Sequence, residues 1–287
     1  MKDRKKGILF ILGAAFFFAL MNLFVKLGGE IPTIQKAFFR NSVAALAAVV
    51  AVVRQKGCLR KIKGNLGALL GRSLAGLLGI LLNFYAIDHL DISDASLLNK
   101  LSPFFAVIFS VIILKEVASF RDWMYVFAAF GGALLVMKPS FSMEAVPALM
   151  GALSGMCAGL AYTFVRKLGN NGVQGPVIVF FFSAFSGLAL LPNMIFNFTP
   201  MTWSQTLYLC LAGVSAAGGQ FCITAAYKAA PAKEISVFDY SQVIIAAVLG
   251  FIFLNQVPDY LSILGYLVIF IVAVLKWRHN LNERPAK

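Results

Sequence analysis

Long apolar runs, one after another along nearly the whole chain, constrain its fold more than any other feature. A run of about 18 or more apolar residues marks a membrane-spanning helix, because at 1.5 Å rise roughly 20 residues cross a hydrocarbon core about 30 Å thick. Ten such runs are read, at residues 7–27, 33–53, 66–87, 94–114, 121–138, 146–166, 175–196, 203–227, 233–254 and 259–277. Short connections leave no room for a separate soluble domain. A closed barrel also satisfies the backbone in lipid, but it needs alternating polarity, and these segments are apolar on every face. Composition agrees: 60% of the 287 residues are hydrophobic and 13% charged, against about 25% charged in soluble domains. The expected fold is an all-α integral membrane protein with ten transmembrane helices.

The net charge of +13 raises nucleic acid as a partner, and its distribution argues against it. With the N-terminus in the cytoplasm, most Lys and Arg fall on the cytoplasmic side: the N-terminal tail, Arg54 to Arg72, the region of Lys115, Arg166 and Lys167, Lys228 and Lys233, and the C-terminus. Lys26, Lys36, Arg40, Lys100 and Lys138 remain for the other side or the outer halves of helices. This positive-inside bias predicts cytoplasmic termini in the inner (plasma) membrane. The basic loop RQKGCLRKIKG is then a topology signal facing anionic lipid. The opening MKDRKKGILFILGAAFFFALM imitates a secretory signal, yet its apolar run exceeds the usual ~7–15 residues and no small-x-small cleavage site follows. It is expected to stay as an uncleaved first helix.

Sliding the sequence on itself by 140 residues aligns Asp94 with Glu234, Ser96 with Ser236, Leu114 with Leu254 and Val117 with Val257. Helix order and loop positions match better than identities. The expected organisation is two five-helix repeats, 1–140 and 141–287. An odd number of spans makes the second repeat enter the membrane from the opposite side, giving inverted repeats with a substrate site near the midplane between them.

The same offset pairs polar residues: Asn22 with Tyr162, Asn99 with Asp239, and Lys100 with Tyr240. A charge near the bilayer centre costs roughly 2.5–3.5 kcal/mol on insertion scales and usually faces a bundle interior or a wet cavity. Lys100 could instead snorkel outward; Asn99 could not. Asp239 has no stem to reach water, so it should face a cavity, pair with a cation or carry a proton, since desolvation disfavours the charged form. Lys100 is not expected to be that cation, because straight helices put the two residues roughly 12–15 Å apart in depth. Arg40 lies in the outer half of helix two, and Gln220 lies inside helix eight beside Gly218 and Gly219. Each has a bland alternative, snorkelling for Arg40 and an interhelical hydrogen bond for Gln220. Gly151, Gly155 and Gly159 make a small-xxx-small ladder whose simplest use is close packing. Pro103 removes the N–H that would bond the carbonyl of Asn99, which predicts a kink there.

No GxxxxGK[ST] loop is present, which argues against ATP hydrolysis. Neither HExxH nor a Ser/His/Asp cluster occurs, and no cofactor or metal site is indicated. The phrase FFRN in helix two, APAKEIS opening helix nine, LSPFFAVIFSVIILKE ending helix four and its counterpart QVIIAAVLGFIFLNQ resemble the drug/metabolite transporter superfamily, EamA type. In that counterpart Val243 and Gln256 stand where the first half has Pro103 and Glu116.

The resemblance implies an alternating-access carrier of small organic metabolites, often an exporter of amino acids or related compounds, with a central cavity. The candidate substrate-binding residues are Asn22, Arg40, Asn99, Lys100, Tyr162, Gln220, Asp239 and Tyr240. Lys100 with Arg40 would draw an anionic group, Tyr162 with Tyr240 would stack on an apolar part, and Asp239 would meet an amine or couple transport to protons. The coupling partner, a proton or an exchanged substrate, stays open. A lipid scramblase or a membrane-embedded enzyme is the alternative class, and a channel a third.

Overall fold

A computed structural model describes residues 2–55, 61–89, 97–137, 145–254 and 257–282. Ten principal helices follow in chain order: α1 (Lys2–Leu27), α2 (Thr33–Arg54), α3 (Leu66–His89), α4 (Ser102–Leu114), α5 (Phe120–Met137), α6 (Ala145–Asn170), α7 (Gly175–Phe196), α8 (Trp203–Ala229), α9 (Ser241–Leu254) and α10 (Tyr260–Asn282). Among the described residues, 9 stretches are long and apolar enough to cross a membrane. The remaining helix, α5, has 18 residues and lies along α10.

Local chemistry explains where several helices stop. Gly28 and Gly29 close α1 by donating to the carbonyls of Phe24 and Lys26, and Gly29 takes φ +70, a conformation cheap only without a Cβ. Thr202 caps α8 reciprocally: its hydroxyl accepts from the Gln205 N–H, and the Gln205 side chain accepts from the Thr202 N–H. Lys115 ends α4 in a left-handed conformation, φ 56, turning the chain so that Glu116 reaches Arg166.

Two helices are broken where the sequence suggested continuous spans. Regular helix four begins at Ser102, after a turn at Lys100 and Leu101, and Pro103 sits in its first turn instead of kinking its interior. The start of that expected span, residues 94–96, lies outside the described residues. The ninth span opens as one α-helical turn, Ala232–Ile235, and a 3₁₀ segment, Ser236–Tyr240, before α9. At the outer limits, α1 begins five residues earlier than expected and α10 runs five residues further.

The main packing pairs cross the chain's midpoint. α1 packs on α8, α3 on α6, α2 on α7, α4 on α6, α1 on α9, and α5 on α10. Under a shift of 140 residues, α1–α8 becomes α6–α3 and α4–α6 becomes α9–α1, while α2–α7 and α5–α10 map onto themselves. The equivalence reaches single residues: a Cβ on Gly219 would meet the ring of Phe18, and one on Gly79 would meet Cys157 and Ala158. Position 79 shifts to 219 and 18 to 158. This pattern is consistent with a pseudo-two-fold relation; the 140/141 repeat boundary itself lies outside the described residues.

Glycines hold these contacts close. Gly151, Gly155 and Gly159 seat the broken start of helix four, where an added Cβ would come within 2.7 Å of Leu98 Cδ1, 2.7 Å of the Leu98 carbonyl oxygen and 2.6 Å of Phe105 Cβ respectively. The ladder therefore packs a neighbouring backbone, as small-xxx-small spacing suggests.

Candidate substrate site and intramembrane ion pairs

The two helix breaks meet. Lys100 at the first lies beside Asp239 and Tyr240 at the second. Lys100 Nζ donates to Asp239 Oδ2 at 3.1 Å and to Gln242 Oε1 at 2.8 Å, with a longer contact of 3.5 Å to the Asp239 carbonyl oxygen. Tyr240 returns the contact, its hydroxyl donating to the Lys100 carbonyl oxygen at 3.0 Å. All three residues are buried.

The expectation that Lys100 and Asp239 sit at different depths is corrected by this ion pair. It assumed two straight helices. A turn at Lys100 and Leu101 and a 3₁₀ segment over Ser236–Tyr240 replace those regular starts and bring the two residues together.

The pair reassigns other residues. The ammonium of Lys100 has three acceptors already and does not point outward, so snorkelling does not describe it. Tyr240, fully buried with its hydroxyl engaged, has no ring face for a ligand. Tyr162 instead stacks on Tyr227 with ring centroids 4.8 Å apart and planes 17° from parallel. Asn99 is tied to α6, its Nδ2 donating to Ser154 Oγ at 3.1 Å. Asn22 is exposed on α1.

Sequence reasoning missed a cation. Arg72, grouped above with the loop charges that set topology, is 3% exposed and lies inside the bundle. Its Nη2 donates to Gln220 Oε1 at 3.0 Å, and its Cζ stands 4.0 Å from the centroid of Phe182. Gly76 makes the room: a Cβ there would fall 2.2 Å from Nη1 and 2.6 Å from the Phe182 ring. The available signal was its place inside an apolar stretch, six residues after the helix start. Arg40, half-buried on α2, donates through Nε to Met21 Sδ at 3.2 Å. Arg72 lies within electrostatic reach of both Arg40 and Tyr162, and Asp239 within reach of Tyr162 and Tyr227. Arg40, Arg72, Gln220, Tyr162 and the Lys100–Asp239 pair thus form one polar interior.

Ion pairs also join the halves nearer the N-terminal face. Arg4 grips Glu234 with two bonds of 2.8 Å, Nε to Oε2 and Nη2 to Oε1, and also donates to the Asn280 carbonyl. Arg166 Nε donates to Glu116 Oε1 at 3.1 Å, and its Nη1 to the Lys228 carbonyl oxygen at 3.0 Å. Lys276, also grouped with the terminal charges by sequence, is fully buried against Asp122. Toward the other end, a cleft of about 990 Å³ opens between the start of α2 and the end of α7, lined by Glu30, Lys36, Asn193 and Asn197 among others. Arg40 follows Lys36 by one turn of α2.

Comparison with known proteins identifies the chain's kin. The EamA-like transporter family matches twice, over residues 5–138 and 146–277. A pseudopaline exporter, CntI, of Pseudomonas aeruginosa is 32% identical over 273 residues, covering 94% of this chain and 95% of that protein. Human solute carrier family 35 member G1 is 26% identical across 94% of this chain and 80% of its own length. A solved crystal structure superposes with a TM-score of 0.83 over 97% of this chain and 99% of that one, at 16% identity, which speaks to the fold alone. The chain belongs to the EamA-like transporter family and is a multi-pass membrane transporter, not an enzyme.

Proposed function

We propose that this protein is a secondary carrier that exports a small organic metabolite, an amino acid or a related compound, across the cytoplasmic membrane by alternating access. Two five-helix halves, 1–140 and 141–287, inverted relative to one another and with both termini cytoplasmic, rock about the polar interior. The observation that carries this reading is the Lys100–Asp239 pair, which joins a helix break from each half. Broken helices at mid-membrane expose backbone polar groups where only a protein-lined or wet interior tolerates them.

Proton coupling follows from the chemistry of the pair. A proton on Asp239 removes the charge that holds Lys100, so protonation and separation of the two breaks are linked. A ligand amine could replace Lys100 at the carboxylate in the same way. The pseudopaline exporter among the relatives supports export of a metabolite without naming this chain's substrate.

The reading is tested in liposomes containing the purified protein and an internal pH-sensitive dye. Addition of amino acids and related metabolites should cause protein-dependent proton movement, and Asp239→Asn should abolish it. Solute movement in D239N that still follows an imposed pH gradient would remove Asp239 from coupling. Fluorescent-lipid exchange without solute movement would replace the carrier with a scramblase.

A further inference from the structure

We infer that Arg72 and Arg40 form a binding site for a carboxylate group of the transported solute. The inference rests on the carrier reading above and names the chemical class its interior receives. It starts from unbalanced charge. Lys100, Lys276, Arg4 and Arg166 each face a carboxylate. Among the described residues neither Arg72 nor Arg40 does: their side-chain acceptors are the neutral Gln220 oxygen and the Met21 sulfur.

Two guanidiniums within electrostatic reach of one another repel, and each pays for leaving water. A bound anion offsets both costs at once. Donors for it are in place, since Arg72 Nε and Arg40 Nη1 are buried and have no hydrogen-bond partner. The guanidinium fork suits a planar carboxylate, which it grips with two parallel N–H bonds.

The site is also built, not incidental. Gly76 leaves the space in which the Arg72 guanidinium lies, Phe182 supports its face, and Gln220 fixes its edge. Such a side chain is held ready for its ligand and loses little further freedom on binding. Tyr162 lies within electrostatic reach of both arginines. Neither arginine has a counterpart in the other half, where the 140-residue shift leads to Phe180 and Ala212. The carboxylate site is therefore particular to one half of the chain, and Arg40 follows by one helical turn Lys36, which lines the cleft at the start of α2.

The test compares benzoate with benzamide, which share a ring and differ in charge, as ligands of the purified full-length protein in detergent at constant ionic strength. Benzoate should raise the thermal unfolding midpoint saturably, and benzamide should not. Arg40→Gln and Arg72→Gln should each weaken the apparent benzoate affinity tenfold or more. Arg72→Lys should behave like R72Q, because it keeps the charge and loses the fork. R40Q provides the decisive variant if R72Q unfolds, since Arg40 is half-buried and bonds only a thioether among the described residues. Equal shifts by benzoate and benzamide, no shift by benzoate, or an undiminished benzoate response in R40Q would overturn the inference. An arginine-dependent benzoate response in a protein that moves no solute across liposomes would keep the anion site and remove the carrier.

Discussion

Asp239→Ala is expected to destabilise the protein by about 3–5 kcal/mol, the usual consequence of removing one partner of a buried ion pair. Lys100 would keep only the neutral Gln242 oxygen and a backbone carbonyl as acceptors, and a buried ammonium without a counter-charge is what such variants leave behind. Lys100→Ala should cost about as much for the reciprocal reason. The double variant Lys100→Met with Asp239→Leu should recover most of the loss, since apolar replacement of a whole buried pair is often neutral or stabilising. Its transport should not recover. Chemical denaturation in detergent of the parent, Lys100→Met, Asp239→Leu and the double variant supplies the cycle; additive single and double effects would mean that the two side chains do not act as a pair.

The second large effect concerns the N-terminal face. Glu116→Gln with Glu234→Gln removes two of the carboxylates that tie the halves together there, those on Arg166 and Arg4, and leaves Asp122 on Lys276. Charge-assisted hydrogen bonds contribute about 1.5–3 kcal/mol each, so the double change should shift the balance between open and closed faces by about 3–6 kcal/mol. That is roughly a hundred- to ten-thousandfold in population.

The sequence does not repeat these two pairings in the other half. Shifted by 140 residues, Arg166 and Glu116 become Lys26 and Gln256, while Arg4 and Glu234 become Glu144 and Asp94. Neither pairing joins opposite charges. The carrier should therefore rest closed at the N-terminal face. A cysteine placed at Ala229, near that face, should react with a water-soluble maleimide at least tenfold faster in E116Q/E234Q than in the parent. Equal rates would show that the two carboxylates do not hold that face shut.

Much of the architecture was legible because bilayer thickness leaves few solutions: apolar runs of about 20 residues become helices. The 140-residue offset also carried information, since it paired Lys100 with Tyr240, whose hydroxyl meets the Lys100 carbonyl, one residue from the Asp239 that Lys100 faces. What it could not supply was their depth. Hydropathy averages over a window and does not register a broken helix, so Ala232–Tyr240 reads as the start of a continuous span although it forms one helical turn and a 3₁₀ segment.

Arg72 shows a second limit. A cation six residues into a helix can reach the headgroups or fold inward, and composition does not distinguish the two. The space above Gly76 and the Phe182 ring decide it, and both are contacts within or between helices that no linear pattern displays. Tyr240 errs in the opposite direction. Its polarity and position nominated it as a ligand-facing ring, whereas the structure uses its hydroxyl to tie the breaks together.

Water access to the space between the halves is the claim on which the rest depends, and labelling at Asn22 measures it most directly. Asn22 lies exposed on α1, next to the Met21 thioether that meets Arg40. With the native cysteines replaced, Asn22→Cys in oriented vesicles should react with a membrane-impermeant maleimide added to the side opposite the N-terminus, and benzoate should slow the reaction. Reaction with lipid-soluble maleimides alone, unaffected by benzoate, would place that position against lipid and contradict the account.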